Sequence, residues 1–320
     1  MKTTLVSIIA FLAASAATAL AQPFPSKPVR MIVPVTGGSM DLFARVVSPH
    51  LSDALGQPVV VETKAGVGGN IATDFVAKSP ADGHTVLIAF NAPITVNPSL
   101  FDKLPFDPIK DLAPIMLACI SPQFLAVHPS VPVTNVKEFI SYARANPGKL
   151  NYGSIGVGAA SHLTMEMFKS AAGIDLVHVA YKGSAPATAD LLAGNVQAAF
   201  LVPTNVLPHA KAGKLKVLAS TGRTRAPTLP EVPTLIESGF ANFEALAWLG
   251  LMVPAGTSQA IIDRYNGEFA RILKIPEVRS RLNSVDFEVI ASTPDEFGRF
   301  IRSETEKWGK MVHQTGAKAN

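Results

Sequence analysis

The sequence predicts an α/β protein of two domains, each a mostly parallel sheet flanked by helices, with hinge crossings that make a clamshell. About 300 residues follow an N-terminal targeting segment, which is more than one hydrophobic core usually accommodates. Short apolar segments alternate with amphipathic ones, and turns rich in glycine and proline separate them; the chain contains 23 Gly and 25 Pro. Two nearly continuous apolar segments, 111–127 and 245–253, interrupt this alternation and are expected to cross between the domains.

The first 21 residues have the pattern of a secretory signal peptide. Lys2 supplies a basic start, residues 5–12 an apolar core, and Ala19-Leu20-Ala21 a small-residue cleavage site. The apolar core is too short to cross a bilayer, and Gln22 is not the cysteine that a lipoprotein anchor needs. We therefore predict cleavage after Ala21 and export of the mature chain.

Charge and cysteine content exclude several classes of protein. Removing the signal peptide deletes one Lys and no acidic residue, so the formal net charge falls from +4 to +3. The basic residues are spread along the chain without clusters, which gives no indication of binding to nucleic acid or to a membrane surface. Cys119 is the single cysteine and lies in an apolar segment, so we expect a buried, inert thiol and no internal disulfide.

The first part of the chain reads as β-α-β-α-β, the pattern of a parallel sheet. The predicted elements are strand 29–35, helix 41–55, strand 59–62, helix 71–78 and strand 85–90. Pro49 lies inside the first helix and is expected to kink or shorten it, whereas Gly56 is expected to end it.

Segment 111–127, broken by Ser121-Pro122, is interpreted as the crossing into the second domain, where the alternation restarts. The predicted elements there are helix 136–145, a loop after residue 152, helix 161–172, strand 176–180, helix 185–193, strand 196–200, helix 205–212 and strand 215–219. After a proline-rich connector and the return crossing, residues 258–312 are predicted to be almost wholly helical and to pack on the first domain. The predicted domains are therefore 22–120 plus 245–320, and 121–244.

Two glycine-containing turns carry the functional signal. In Thr36-Gly37-Gly38-Ser39 a strand gives way to a helix that Ser39 or Asp41 is expected to cap. Free N–H groups and the positive end of the helix dipole suit a small anion at such a turn. Segment 152–162 repeats the theme with the hydroxyls of Ser154 and Ser161. An ordinary strand-to-helix turn remains the alternative for either one alone, but two facing turns across a hinge predict an anion site.

Catalytic and metal-binding patterns are poorly represented. The segment Gly156-x-Gly158-x-x-Ser161 approaches a dinucleotide fingerprint, but no acidic residue ends the strand that follows. There is no Gly-x-Ser-x-Gly elbow, and the seven histidines form no His-x-x-x-His pair. On a helix, the adjacent Ser161 and His162 side chains point roughly 100° apart. We therefore expect no catalytic residue, no metal and no cofactor.

Two further residues have two readings. Lys182, beside a strand-to-helix turn, either contacts an anion or is a solvated lysine. Trp248, in the return crossing, either lines the cleft or is a core or hinge aromatic residue.

Twelve short segments, spread over the mature chain, together resemble one family. They are 25–30 (Pro-Ser-Lys-Pro-Val-Arg), Gly37-Gly38-x-x-Asp41, 55–62 (Leu-Gly-Gln-Pro-Val-Val-Val-Glu), Gly66-x-Gly68-Gly69-Asn70, Asp82-Gly83-x-Thr85, Asn97-Pro98, 147–152 (Pro-Gly-Lys-Leu-Asn-Tyr), Ser161-His162-Leu163, 181–186 (Tyr-Lys-Gly-Ser-Ala-Pro), 208–215 (Pro-His-x-Lys-Ala-Gly-Lys-Leu), 253–257 (Val-Pro-Ala-Gly-Thr) and Trp308-Gly309-Lys310. With these segments the chain resembles the Bug (TctC-like) periplasmic solute-binding receptors of tripartite tricarboxylate transporters.

The resemblance implies a periplasmic-binding-protein-like clamshell that holds one small organic carboxylate, which is a dicarboxylate, a tricarboxylate or an aromatic acid. It implies delivery to membrane transporter subunits. We also expect a monomer, and the charge distribution gives no indication of a nucleic acid partner. It also implies that the carboxylate is held by the loops 36–41 and 154–161. The predicted ligand-binding residues are Thr36, Gly37, Gly38, Ser39, Asp41, Asn91, Ser154, Gly156, Gly158, Ala159, Ser161, His162, Lys182, Leu201, Pro203 and Thr204.

The chain departs from the family pattern at two places. Thr36 stands in a first loop that often contains more prolines in the family. Leu201-Val202 stands where many members carry Asp-Asn, and that Asp is a partner for an amino or hydroxyl group on a ligand. Without it an ammonium group would be buried unpaired, which disfavours amino acids. We therefore hypothesise a carboxylate with an apolar or aromatic body, or a plain dicarboxylate.

Two other functions stay open from the sequence. The loaded receptor could contact a sensor kinase ectodomain instead of a permease, and neighbouring genes would discriminate between these partners. An exported hydrolase is the other alternative, which chromogenic esters and amides would test.

Overall fold

The computed structural model describes residues 24–315, with side chains up to residue 312, and the predicted signal peptide lies outside this range. Two mixed β-sheets, each flanked by helices, form two lobes. In chain order, the elements are β1 (Val29–Val33), α1 (Ser39–Leu55), β2 (Val59–Thr63), α2 (Asn70–Ala77), β3 (Thr85–Ala89), α3 (Asn97–Leu100), β4 (Leu112–Ser121), β5 (Phe124–Val127), α4 (Val136–Ala145), β6 (Asn151–Ser154), α5 (Ala160–Ala172), β7 (Val177–Ala180), α6 (Ser184–Ala193), β8 (Ala198–Leu201), α7 (Pro203–Lys211), β9 (Lys216–Ser220), β10 (Ala247–Pro254), α8 (Gln259–Ile272), α9 (Pro276–Asn283), β11 (Glu288–Val289) and α10 (Pro294–Thr315). A 3₁₀ turn (Val67–Gly69) precedes α2, and a π-helical turn (Ala92–Val96) precedes α3.

The sheet of the first lobe has the strand order β11-β4-β10-β3-β1-β2. β1 pairs in parallel with both β2 and β3, as the β-α-β-α-β pattern predicts. β10 is antiparallel to β3 and β4, and β11 is antiparallel to β4. The sheet is therefore mixed: β1, β2, β3 and β4 run in one direction, and the crossing strand β10 runs against the strands on both of its sides.

The sheet of the second lobe has the order β7-β6-β8-β5-β9. β6 is parallel to β7 and β8, whereas β5 is antiparallel to its neighbours β8 and β9. β5 follows β4 after only two residues, Pro122 and Gln123, so the chain passes from one sheet directly into the other. The expected crossing at Ser121-Pro122 is thus seen, and its direction makes this sheet mixed as well.

The start of α1 differs from the prediction. Gly38 is the N-cap residue, with φ 77° and ψ −157°, and no side chain caps the helix, so neither Ser39 nor Asp41 is the cap. The reason is that the turn needs a backbone conformation that only glycine adopts easily. Asp41 instead pairs with Arg45 one turn along the helix, at 2.8 Å.

Pro49 does not shorten α1, which was one of the two effects expected of it. The helix continues past Pro49 to Leu55 and ends at Gly56, which adopts the left-handed conformation predicted for it. A proline removes only one helical hydrogen bond, and the buried face of Phe43, Val47 and Leu51 holds the helix on the sheet.

The C-terminal part contains a strand that the sequence pattern missed. β11 interrupts the region predicted to be almost wholly helical and extends the first sheet along the edge of β4. It is two residues long, which is too short for a periodic signal.

Each lobe has its own apolar core. Phe43, Tyr265 and Phe269 are fully buried in the first core, and Phe139 and Phe168 in the second. Cys119 is fully buried, and burial raises the pKa of its thiol far above the usual value. Within residues 24–315 none of the helices combines the length and apolarity that a bilayer crossing requires.

Candidate functional site

A cavity lies between the two lobes. Its volume is about 40 Å³. Among the described residues that form its wall there is no Asp, Glu, Lys, Arg or His, and most of the wall is apolar. The lining residues are Val35, Gly37, Ser39, Met40, Phe90, Asn91, Gln123, Ile155, Ala160, Ser161, Ser184, Phe200, Leu201, Val202, Ala247, Trp248, Leu249 and Phe287.

Four helices present their N-terminal ends to this cavity: α1 at Ser39, α5 at Ser161, α6 at Ser184 and α7 at its N-cap residue Val202. None of the four has a side-chain hydrogen bond at its N-cap. The first N–H groups of a helix have no partner inside the helix, and the helix end carries about half a positive charge. The cavity therefore offers main-chain donors and positive potential without a charged side chain.

Backbone segments of the two lobes meet beside the cavity. Thr36 and Gly183 form an isolated parallel β-bridge. A Cβ atom added to Gly38 would lie 2.6 Å from Ser184 Oγ, and one added to Gly68 would lie 2.8 Å from the carbonyl oxygen of Val157. These glycines leave the space that the lobes need to approach each other.

The loop between β6 and α5 is held from behind by hydroxyl and imidazole groups. Ser154 Oγ lies 2.7 Å from His178 Nε2 and accepts the N–H of Gly156 at 3.2 Å. Ser161 Oγ accepts the N–H of Ile155 at 3.0 Å, and His162 Nδ1 accepts the N–H of Gly158 at 3.2 Å. The two serines and two histidines thus position the main chain of this loop.

Burial keeps both histidines neutral. Burial lowers the pKa of His162 to about 4. Burial also lowers the pKa of His178 to about 4, helped by the repulsion that a protonated His162 would exert on it. Nearby, Glu166 accepts the Tyr152 hydroxyl at 2.6 Å and pairs with Lys169 at 2.8 Å. Although burial opposes it, these two partners lower the pKa of Glu166. At neutral pH the loop is supported by uncharged rings.

The structure brings five of the predicted site residues into the cavity wall: Gly37, Ser39, Asn91, Ser161 and Leu201. The others lie around it. Thr36 is in the interlobe bridge, and Pro203 is the buried first residue of α7. The loop behind the wall contains Ser154, Gly156, Gly158, Ala159 and His162. A separate outer groove is lined in part by Gly38, Asp41 and Thr204.

Lys182 is exposed and does not line the cavity, in keeping with the solvated reading of that residue. For Trp248 both readings hold: it is 4% exposed, packs edge-on against Phe297 and Phe300, and also lines the cavity. Sequence reasoning did not propose Gln123, Ser184 or Phe287 as site residues. Ser184 follows Gly183 at a strand-to-helix turn, which is the same local signal that marked the other two loops.

The arrangement does not form a nucleophilic site. Ser161 and His162 each bond to the main chain of their own loop. Ser154 and His178 form a close pair, but Ser154 is fully buried and the pair does not line the cavity. Among the described residues, no three His, Cys, Asp or Glu side chains gather in a way that could hold a metal.

Known proteins are similar to this chain in sequence and in fold. BugT of Bordetella pertussis is 36% identical over 321 residues, covering 99% of this chain and 98% of that protein. A protein of Pseudomonas sp. (strain P51), described as UPF0065 protein in tcbD-tcbE intergenic region, is 36% identical over 93% of this chain and 89% of its own. A solved R. palustris structure with adipate has a TM-score of 0.89 at 33% identity, covering 92% of this chain and 99% of that one. MatC from Rhodopseudomonas palustris with bound malate has a TM-score of 0.86 at 30% identity, covering 90% and 100%.

The family described as tripartite tricarboxylate transporter family receptor matches residues 43–317. Its members are solute-binding receptors and not enzymes. The chain belongs to the tripartite tricarboxylate transporter receptor family, among the Bug proteins.

Proposed function

We propose that this protein captures a small organic carboxylate between its two lobes and delivers it to a tripartite tricarboxylate-type transporter. One observation carries the proposal: four helix N-termini without side-chain caps border a cavity whose wall has no charged side chain. Such a site attracts an anion and leaves its bonds intact. The R. palustris relatives with adipate and with malate support a carboxylate as the anion.

Main-chain donors suffice for a useful affinity. A hydrogen bond to a charged group contributes roughly 1.5–3 kcal/mol, and micromolar binding corresponds to about −8 kcal/mol. Several such bonds therefore reach micromolar affinity after part of their energy offsets the lost freedom of the ligand. Release remains possible because no covalent bond and no side-chain ion pair is involved.

The wall also selects the ligand class. Leu201 and Val202 stand at the cavity where many family members carry Asp-Asn, and no acidic residue of the wall replaces them. An ammonium group would be buried there without a partner. We therefore propose a carboxylate with an apolar or aromatic body, or a plain dicarboxylate, and not an amino acid.

The experiment is a thermal-shift screen of residues 22–320, followed by calorimetry on each acid that raises the melting temperature. The panel contains monocarboxylates, dicarboxylates, tricarboxylates, aromatic acids and amino acids. A ligand at about 100 times its Kd stabilises the folded state by about 2.7 kcal/mol, which the screen detects. If no carboxylate raises the melting temperature, the proposed function is wrong. If an amino acid binds at least tenfold tighter than its deaminated analogue, the proposed ligand class is wrong.

We further propose that the protein is a periplasmic monomer, exported by cleavage after Ala21, with domains 22–120 plus 245–320 and 121–244. Closure of the lobes changes the surface that a membrane partner contacts, so a partner can discriminate the loaded from the empty receptor. Uptake of the labelled acid into vesicles that contain the transporter's membrane subunits tests delivery. Uptake that is the same with and without the receptor contradicts it and favours a sensor as the partner.

A further inference from the structure

Two side-chain donors in the cavity wall have no partner. Asn91 is 2% exposed and Trp248 is 4% exposed, and both line the cavity. Within the described part of the chain, Asn91 Nδ2 and Trp248 Nε1 find no hydrogen-bond acceptor. A buried N–H group without an acceptor is costly, so each of these groups calls for an explanation.

The sheet of the first lobe brings the two residues to the same end of two neighbouring strands. β10 runs antiparallel to β3, with Gly250 opposite Ala89 and Leu251 opposite Ile88. Asn91 follows Ala89 by two residues, where the chain turns from β3 into a helical conformation, and Trp248 precedes Gly250 by two residues on β10. Because both side chains line the same cavity, one ligand can contact both of them.

Packing alone does not account for the indole N–H of Trp248. Its ring lies edge-on against Phe297 and Phe300, contacts that a phenyl ring also makes. Trp308, the second of the two tryptophans in the chain, shows the usual arrangement, since its Nε1 donates to Glu304 at 2.7 Å. At Trp248 the missing acceptor coincides with the ligand cavity.

The number of donors indicates the kind of acceptor. A carbonyl oxygen has two lone pairs and is satisfied by two donors, whereas a carboxylate has about four acceptor positions. The carboxylate of the ligand already has the four helix N-termini. We propose that Asn91 and Trp248 together bind one uncharged carbonyl oxygen, so that the ligand is an oxo acid with a short apolar skeleton. This inference rests on the proposed function, and it names the second group of the ligand.

The test uses calorimetry with four acids that share a five-carbon chain: pentanoate, 2-oxopentanoate, 4-oxopentanoate and glutarate. We expect at least one oxo acid to bind the wild-type protein tenfold or more tightly than pentanoate. The variants Trp248→Phe and Asn91→Leu each remove one donor at similar size. Each variant is expected to abolish that advantage, because it loses more affinity for the oxo acid than for pentanoate. Trp308→Phe, which removes an indole N–H outside the cavity, is the matched control and keeps the advantage.

A spectroscopic readout on the wild-type protein covers the case in which a variant does not fold. The chain has two tryptophans, so a ¹⁵N-labelled sample gives two indole N–H signals, which Trp308→Phe assigns. The oxo acid is expected to shift the Trp248 signal and to leave the Trp308 signal in place, while pentanoate at saturation does not reproduce the shift.

Four results overturn the inference. If the oxo acids bind no tighter than pentanoate, no carbonyl is recognised. If both variants lose affinity only for glutarate, the two donors bind a second carboxylate. If both variants lose affinity equally for all four acids, the two residues act through packing. If none of the four acids binds the wild-type protein, a short oxo acid is not the ligand, and the broader carboxylate screen then decides the proposed function separately.

Discussion

The imidazole rings of His162 and His178 are stacked, with centroids 4.1 Å apart and planes 14° from parallel. His178 comes from β7 and His162 from the first turn of α5, so the stack joins two elements behind the same loop. Each ring also holds a part of that loop, His178 through Ser154 Oγ and His162 through the N–H of Gly158. The charged groups near the stack are Glu166 and Lys169, which pair with each other.

Acid is expected to destabilise the protein through this stack. The folded pKa of each ring, about 4, lies below the ordinary value of 6.5, so the unfolded chain binds more protons between these two values. Stability is therefore complete above pH 6.5 and falls as the pH drops toward 4. Since one pKa unit corresponds to about 1.4 kcal/mol, the pair contributes a loss on the order of 2–4 kcal/mol between pH 7 and pH 5. Urea unfolding at several pH values measures it.

The double variant His162→Asn, His178→Gln keeps hydrogen-bonding atoms near the positions of Nδ1 and Nε2 and cannot be protonated in this range. It is expected to flatten the pH dependence. His209→Gln, in the last turn of α7, is the control and keeps the wild-type slope. An unchanged slope in the double variant would show that the stack is not the origin of the acid sensitivity.

Replacing Gly68 by alanine is expected to weaken ligand binding by blocking closure. Gly68 has φ 59° and ψ 26°, and a Cβ there would lie 2.8 Å from the carbonyl oxygen of Val157 in the other lobe. An alanine in the left-handed region costs roughly 1–2 kcal/mol wherever it is placed. Gly213→Ala, at φ 68° in open space, carries this backbone cost alone. We expect Gly68→Ala to raise the Kd of the ligand tenfold or more and Gly213→Ala to leave it unchanged, because only the closed fraction binds. Equal effects of the two variants on calorimetric affinity contradict the prediction.

An acidic side chain in the cavity wall is expected to shift the ligand preference from a plain carboxylate toward an amino acid. Leu201→Asp places a carboxylate where Leu201 lines the cavity at the end of β8. The new charge repels a plain carboxylate and pairs with an ammonium group, so the ratio of succinate to aspartate affinity is expected to fall by at least tenfold. Leu201→Asn is the control, because asparagine has nearly the same shape as aspartate but carries no charge. Calorimetry with both ligands measures the ratio, and a ratio that stays at the wild-type value refutes the assignment of Leu201 to the site.

Gly250→Ala is expected to destabilise the first lobe. A Cβ on Gly250 would overlap the ring of Phe297, which α10 packs against β10. Overpacking of this kind costs roughly 1–3 kcal/mol of unfolding free energy. Adding Phe297→Leu is expected to recover part of the loss by making room. Gly267→Ala on α8 meets no atom within 4 Å and is expected to stabilise by up to about 1 kcal/mol. Urea denaturation compares the variants, and an unaffected Gly250→Ala protein would contradict the packing argument.

Elements with strong local signals were predicted to the residue or nearly so. Helix 136–145 has the same bounds in the structure, because Asn135 caps it by accepting the N–H of Glu138 and its apolar residues recur at helical spacing. Gly56 ends α1 as expected, since a left-handed residue there needs glycine. Strand direction depends on pairing between distant segments, so the antiparallel β5 and β10 could not be derived from composition or periodicity.

The same division holds for the candidate site. The loops containing Gly37 and Ser161 were found because glycines and hydroxyl residues at a strand end are local features. Gln123 and Phe287 reach the cavity through sheet order and the hinge, which relate residues more than a hundred positions apart. The loss of Asp at Leu201 was visible only through comparison with the family pattern.

Side-chain substitution cannot readily change the four helix N-termini that border the cavity, but it can change the apolar wall between them. In the proposed site the anion is held by peptide N–H groups, which every amino acid except proline supplies, so exchanging side chains at Leu201, Val202 or Trp248 leaves these anion contacts in place. After gene duplication, copies of such a receptor can therefore diverge toward new acids by altering the apolar wall in single steps, each retaining a functional anchor for the carboxylate.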